Sequence, residues 1–301
     1  MQVLFNIKLC EIVPFINWTY FFRAWKISGQ YDGIETAYEN ESSGKKWLAQ
    51  FSEKEREKAE EALKLFADAQ AMLRRFLDED IVQINAVFDI LPAYSNGNDI
   101  VVQQKGKEIT IPMLRQQQPS NDGFCYSLAD FLAEKNDKIG VFACAVLNTE
   151  KEARKYEQEN DLYSALIVQT LADRLAEATS EWLHFQIRKN YWAYYPNEEF
   201  DVEQIFKQQY PGIRPAVGYP SLPDQSIIFE IDAILNLKNI GISLTENGAM
   251  TPTASVCGMY FAHPQSKYFM VGKIDHRQLS NYAARRGKTA EEMQKWLAGN
   301  L

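Results

Sequence analysis

The sequence predicts an α+β fold: a single domain over residues 1–301, with a twisted, largely antiparallel sheet flanked by helices. Three observations carry this. Helical and strand patterns are interleaved irregularly and not in a repeating βαβ rhythm. Apolar runs come in neighbouring pairs across short turns, as at Asn96-Gly97. No Pro/Ser/Gly-rich linker divides the chain, and 301 residues with an apolar fraction of 46% suffice to bury a core.

The elements follow in order. Val13 to Trp25 is aromatic-rich and reads as a helix packed by its aromatics. Ser52 and Glu55 form a capping box, and behind it Ala59, Leu63, Phe66, Leu73 and Leu77 recur at helical spacing. Val82 to Leu91 and Asp99 to Gln104 read as strands of a hairpin or meander. Ile139 to Leu147 is a buried strand, with Val141, Ala143 and Ala145 alternating against Phe142, Cys144 and Val146. Thr149 and Glu152 cap a helical region that runs to about Lys189, with a break at Asn160-Asp161. Its expected buried stripe is Leu166, Leu171, Leu175, Trp182 and Leu183. Asp173 and Glu177 lie four apart on one face, with His184 further along near the same face.

A short helix follows Asn197-Glu198-Glu199. Pro211, Pro215, Pro220, Gly212 and Gly218 then exclude a helix or inner strand, so this stretch is a shaped loop. Asp224 caps a helix bearing Ile227, Ile228, Ile231, Ile234 and Leu235, and Ile242 to Leu244 is a short strand. Ala254 to Phe261 and Lys267 to Lys273 read as strands joined through His263-Pro264-Gln265-Ser266. Asp275 opens a helix, and Thr289 with Glu292 caps the last one.

Composition narrows the function. A net charge of −8 argues against a nucleic-acid binder. Cys10, Cys125, Cys144 and Cys257 are far apart, and His184, His263 and His276 form no local ligand pair, so neither a disulfide framework nor a metal site is expected. No run is long enough for a membrane span and residues 1–8 do not resemble a signal peptide, so the cytoplasm is the expected location. GxSxG, Walker A and GxGxxG are all absent.

The segment Arg214-Pro215-Ala216-Val217-Gly218-Tyr219-Pro220 stands out. A guanidinium on a proline-stiffened loop suits a bidentate grip on a carboxylate. Gly218 permits close backbone approach, and Tyr219 offers a ring and a hydroxyl. The same residues also suit a structural turn with Arg214 in a salt bridge.

This segment resembles the R-x-x-x-G-Y motif of the activation domain of vitamin B12-dependent methionine synthase. Leu171 to Ala178 is similar to that family's long helix, and Tyr191-Trp192-Ala193-Tyr194 to its Y-W-G-Y stretch. Val13 to Phe22, Leu244-Thr245-Glu246, Ala254-Ser255-Val256, Tyr260 to Pro264, Ser266 to Phe269 and Tyr282 to Lys288 follow the family in order, so the resemblance spans essentially the whole chain.

The resemblance implies a module that binds S-adenosylmethionine and presents it for reductive methylation of cob(II)alamin. The cobalamin belongs to another domain or subunit, and the electron to flavodoxin or a flavoprotein reductase. The implied ligand contacts are Asn17, Glu177, Arg214, Gly218, Tyr219, Tyr268 and Phe269, with Arg214 on the carboxylate. Asp173 is implied at the docked cobalamin domain. No residue need act as a general base, because methyl transfer to cobalt moves no proton.

Departures are Asn17 for the family's usual Asp, Val217 for a proline, and Met250-Thr251-Pro252-Thr253 for Met-Trp-Pro-Gly. They leave room for two other readings: a docking or regulatory module poor in ligand, or an activator of another corrinoid methyltransferase. No cobalamin-binding D-x-H-x-x-G motif occurs, so the chain is expected to be a piece of a longer enzyme or a module acting in trans. The Met1 start favours the latter.

Overall fold

The computed structural model describes all 301 residues. Its strands are β1 (Gln2–Leu4), β2 (Gln83–Asn96), β3 (Asp99–Gln104), β4 (Lys107–Pro112), β5 (Asp137–Leu147), β6 (Ser243–Leu244), β7 (Met250–Thr251) and β8 (Ser255–Tyr260). Its α-helices are α1 (Leu9–Ile12), α2 (Trp18–Ala24), α3 (Ile34–Tyr38), α4 (Glu41–Leu48), α5 (Glu53–Asp78), α6 (Thr149–Gln158), α7 (Leu162–Gln186), α8 (Val202–Phe206), α9 (Ile228–Leu235), α10 (His276–Arg285) and α11 (Ala290–Trp296). The chain forms two compact units. Met1–Phe5, Asn85–Ala145 and Ser180–Leu301 make a sheet unit; Asn6–Ile84 and Val146–Thr179 make a helical unit.

The large sheet has six strands in the order β4-β3-β2-β5-β8, with β1 alongside β2. The pairing is antiparallel at β1–β2 (Val3↔Val87), β2–β3 (Tyr94↔Val101), β3–β4 (Val101↔Thr110) and β5–β8 (Ala143↔Cys257). This is the α+β, largely antiparallel arrangement that the hairpin pattern predicts. At 14 residues β2 is long enough to take β1 on its first half and β3 on its second. Sequence reasoning missed β4, although Lys105 and Gly106 carry its signal. Both have positive φ, 51° and 76°, as a two-residue hairpin turn of type I′ requires. From Ile139 to Val146, β5 is buried on both faces, so its alternation separates two apolar sides, not an apolar side from a wet one. Phe142 of β5 stacks on Tyr260 of β8 at 4.5 Å.

Helix α9 packs on β8. The buried Asp224 caps the turn before α9, accepting from Ser226 N at 2.9 Å, and also accepts from Tyr282 OH of α10 at 2.7 Å. Arg286, just past α10, bonds Glu230 of α9 at 2.5 Å. These bonds fasten α10 to α9.

In the helical unit, α5 has the expected capping box at Ser52 and Glu55. Ala59, Ala62, Leu65, Phe66, Ala69, Met72, Leu73 and Phe76 face inward. Leu77 does not: Phe76 takes the last inward position and Leu77 is 56% exposed. The aromatics of 13–25 do form the joints, with Trp18 edge-on to Phe66 at 4.7 Å and Phe22 edge-on to Tyr31 at 5.3 Å. The segment is broken, however, into α1, a 3₁₀ turn at Val13–Phe15 and α2. Pro14 sits in the first turn of the 3₁₀ helix, and Asn17 starts α2 by accepting from Thr19 N at 3.1 Å. The break between α6 and α7 falls at 159–161, with Asn160 at positive φ. Leu166 is not in the buried stripe of α7. Ile167, Val168 and Leu171 fill that side, and Leu166 is 47% exposed. No helix is long and apolar enough to cross a membrane.

Candidate functional site

The loop at 211–220 is shaped by its attachment to β8. Ile213 and Phe261 exchange N–H···O bonds at 3.0 Å each way. Met259 N donates to Pro215 O at 3.1 Å, and Val217 N to Cys257 O at 3.0 Å. The loop therefore lies as an irregular extra edge along the last strand of the sheet. Gly258 makes this possible: a Cβ there would sit 2.3 Å from Pro215 O and 2.9 Å from Ala216 Cα. Beyond it the chain turns at Gly218, whose φ of 86° disfavours a side chain. Gly218 N then bonds Leu222 O at 2.9 Å.

Residues 267–273 are not the strand that their apolar run predicts. They pair with the loop and not with a neighbouring strand: Val271 N donates to Pro220 O at 2.9 Å and Phe269 N to Ser221 Oγ at 3.1 Å. Phe269 is consequently buried. Tyr268 turns the other way, and its hydroxyl accepts from Arg214 N at 3.0 Å.

The Arg214 guanidinium reaches the last turns of α7. Its Nε and Nη2 meet Glu181 Oε2 at 3.2 and 2.9 Å, and 15% of the side chain remains exposed. Glu181 Oε1 accepts from Tyr210 OH at 2.9 Å. Arg188 lies behind, with its guanidinium 3.6 Å from the centre of the Tyr210 ring and Nη1 3.8 Å from Glu181 Oε1. Glu198 grips Arg188 in bidentate fashion, 2.7 Å to Nε and 2.7 Å to Nη2. Two guanidinium groups thus face two carboxylates, so the buried charges compensate one another. Arg188 occupies a π-helical stretch, Ile187–Tyr191, that continues α7; such wide turns recur at functional positions.

The neighbours of this ladder stay uncharged. Burial, reinforced by Arg188 and Arg214, holds the fully buried His184 well below its ordinary pKa. Its neutral ring stacks on Tyr260 at 5.0 Å and shares a hydrogen bond with Tyr194 OH at 3.0 Å. Burial, and after it the charge of Glu181, pushes the Tyr210 phenol well above its usual value, so Tyr210 remains a donor to Glu181.

Arg214, Gly218, Tyr219, Tyr268 and Phe269 are thus brought together in the sheet unit. Tyr268, bonded to the Arg214 backbone, and Tyr219, five residues along the same loop, present 38% and 51% of their surface to solvent, which suits them to a ligand's planar or cationic part. Asn17, Asp173 and Glu177 belong to the helical unit. There Asn17 is the cap of α2, Glu177 is half-buried on α7, and Asp173 is exposed. Partial burial of the Asp173 carboxyl raises it above its ordinary value, with Arg174 opposing and Glu177 adding to the shift.

Sequence reasoning missed Glu181, Arg188, Glu198 and Tyr210. A signal existed for the first two. Glu177, Glu181, His184 and Arg188 recur at helical spacing on a helix otherwise lined with apolar residues. Glu198 and Tyr210 join from loop positions with no periodicity.

Residues 8–287 match the family model for the vitamin B12 dependent methionine synthase activation domain. Among solved structures, the chain is similar to the crystal structure of the MetH reactivation domain bound to AdoHcy. The TM-score is 0.88 at 36% identity, covering 100% of this chain and 90% of that one.

Proposed function

The chain belongs to the vitamin B12-dependent methionine synthase activation-domain family, and on that footing we propose that it binds S-adenosylmethionine and presents its methyl group for reductive methylation of a partner's cobalamin. The observation that carries this is the fixed, partly exposed guanidinium of Arg214, on a loop that also carries the exposed Tyr219 and is bonded at Arg214 N to the Tyr268 hydroxyl. It stands in a chain that superposes along its whole length on a domain bound to S-adenosylhomocysteine.

The residues fit the ligand chemically. S-adenosylmethionine has no phosphate and so needs no glycine-rich cradle; its carboxylate matches Arg214, and its sulfonium and adenine match aromatic faces. Bound there, it supplies an electrophilic methyl group to the cobalt. This chain's own residues do the rest by position. Arg214 anchors the carboxylate, Gly218 lets the backbone approach closely, and Phe269 with Ser221 keeps the loop seated. The corrinoid comes from a cobalamin-binding domain or subunit, and the electron from flavodoxin or a flavoprotein reductase.

Titration calorimetry tests the reading. Saturable binding of S-adenosylhomocysteine that weakens at least about 10-fold in Arg214→Ala is expected, the size of a lost charge-assisted pair. Binding unchanged in that variant would remove Arg214 from the site. Reactivation of a cob(II)alamin-loaded partner that did not depend on this chain would remove the function.

A further inference from the structure

Building on the reading that Arg214 binds the ligand's carboxylate, we propose that Glu181 is a positioning residue for Arg214 and thereby sets the preference for ligands that keep that carboxylate. A competing anion next to a ligand-binding arginine should weaken it, by neutralising the charge the ligand seeks. The geometry points the other way. Glu181 divides its oxygens: Oε2 takes both Nε and Nη2 of Arg214, while Oε1 takes the Tyr210 hydroxyl. Tyr210 is itself pinned under Arg188, which Glu198 locks with two bonds of 2.7 Å. Glu181 cannot swing without breaking this buried ladder. Arg214 is also tied at its backbone, through the bond from its N–H to Tyr268 OH. Most of the rotamer freedom of a long side chain is therefore already spent before a ligand arrives, and preorganisation of this kind raises affinity.

The two roles predict opposite signs. If Glu181 merely competed for charge, its removal would tighten carboxylate ligands. If it positions Arg214, removal loosens them. The test compares calorimetric binding of S-adenosylhomocysteine with that of its decarboxylated amine, which keeps the nucleoside, the sulfur and the ammonium. In Glu181→Ala we expect S-adenosylhomocysteine to weaken about 10-fold, the cost of re-ordering one side chain, while the amine changes less than about 2-fold. Glu181→Gln keeps an acceptor for Arg214 and recovers most of the loss. Tighter or unchanged binding of S-adenosylhomocysteine by Glu181→Ala overturns the proposal, and so does equal weakening of both ligands, which marks a merely structural role.

Arg214→Ala separates the premise from the inference. If it leaves the preference between the two ligands intact, the carboxylate assignment fails. If it abolishes the preference and Glu181→Ala leaves the preference unchanged, only the positioning role fails. Should Glu181→Ala not fold by thermal melt, Glu181→Asp replaces it, because withdrawing the carboxylate by one methylene breaks the same contact and predicts the same direction.

Discussion

Gly258→Ala is a sharp test of how the site is built, because a single methyl group is added at a point of backbone contact. The added Cβ would lie 2.3 Å from Pro215 O, 2.9 Å from Ala216 Cα and 3.0 Å from Phe142 Cε1. Two of these are main-chain atoms, so no side chain can rotate away. Holding the contact costs about 3 kcal/mol, the upper end for overpacking. The alternative is for the loop to lift off β8. That breaks the bonds from Met259 N to Pro215 O and from Val217 N to Cys257 O, at about 1 kcal/mol each. Either route predicts a loss of about 2–3 kcal/mol, read as a lower midpoint in urea unfolding. Lifting also displaces the residue next to Arg214, so S-adenosylhomocysteine affinity should fall by about 10-fold or more, since misplacing a clamp is costly. Undisturbed stability together with undisturbed affinity would refute the claim that the strand seats the loop.

Other perturbations probe the support. Arg188→Met leaves Glu198 buried without its partner and should cost about 3–5 kcal/mol in chemical unfolding, while adding Glu198→Leu recovers much of it. The depressed pKa of His184 makes stability pH-dependent. Below its unfolded pKa of about 6.5 the unfolded chain takes a proton that the folded chain refuses, so stability falls as pH drops from there toward the folded pKa. The slope is at most about 1.4 kcal/mol per pH unit, and unfolding at stepped pH should show it reduced in His184→Gln. Ala193 has a φ of 57°, in the left-handed region that costs a side chain about 1–2 kcal/mol. Ala193→Gly should relieve this and, after the entropy cost of glycine, raise stability by about 0.5–1 kcal/mol in the same assay.

Much of the fold was legible because it rests on local rules. The capping boxes at Ser52 and Thr289 mark helix starts, and the turn after Asn96 marks a hairpin. At Thr149 the expected box does not form, because Thr149 is already the first helical residue and the left-handed Asn148 precedes it as the cap. Where the reading failed, the competing effect was tertiary. Lys267 to Lys273 has the apolar content of a strand, but it found a loop to bond with instead of a neighbour in register. Leu166 and Leu77 keep helical spacing but lie outside the inward arc that Ile167, Val168 and Phe76 fill.

The division is the same in the site. By itself the sequence determined the family, through motifs that follow one another in order, and it identified the arginine loop, because prolines and glycines declare a shaped backbone without reference to any neighbour. Only the tertiary structure decided what holds that arginine. Glu181, Arg188, Glu198 and Tyr210 reach it from three separate stretches of chain, and Gly258 from a fourth. Charge compensation at Arg214 depends on a 2.9 Å contact with Glu181, a residue 33 positions away in the chain. Such distances leave no periodic trace in the order of residues.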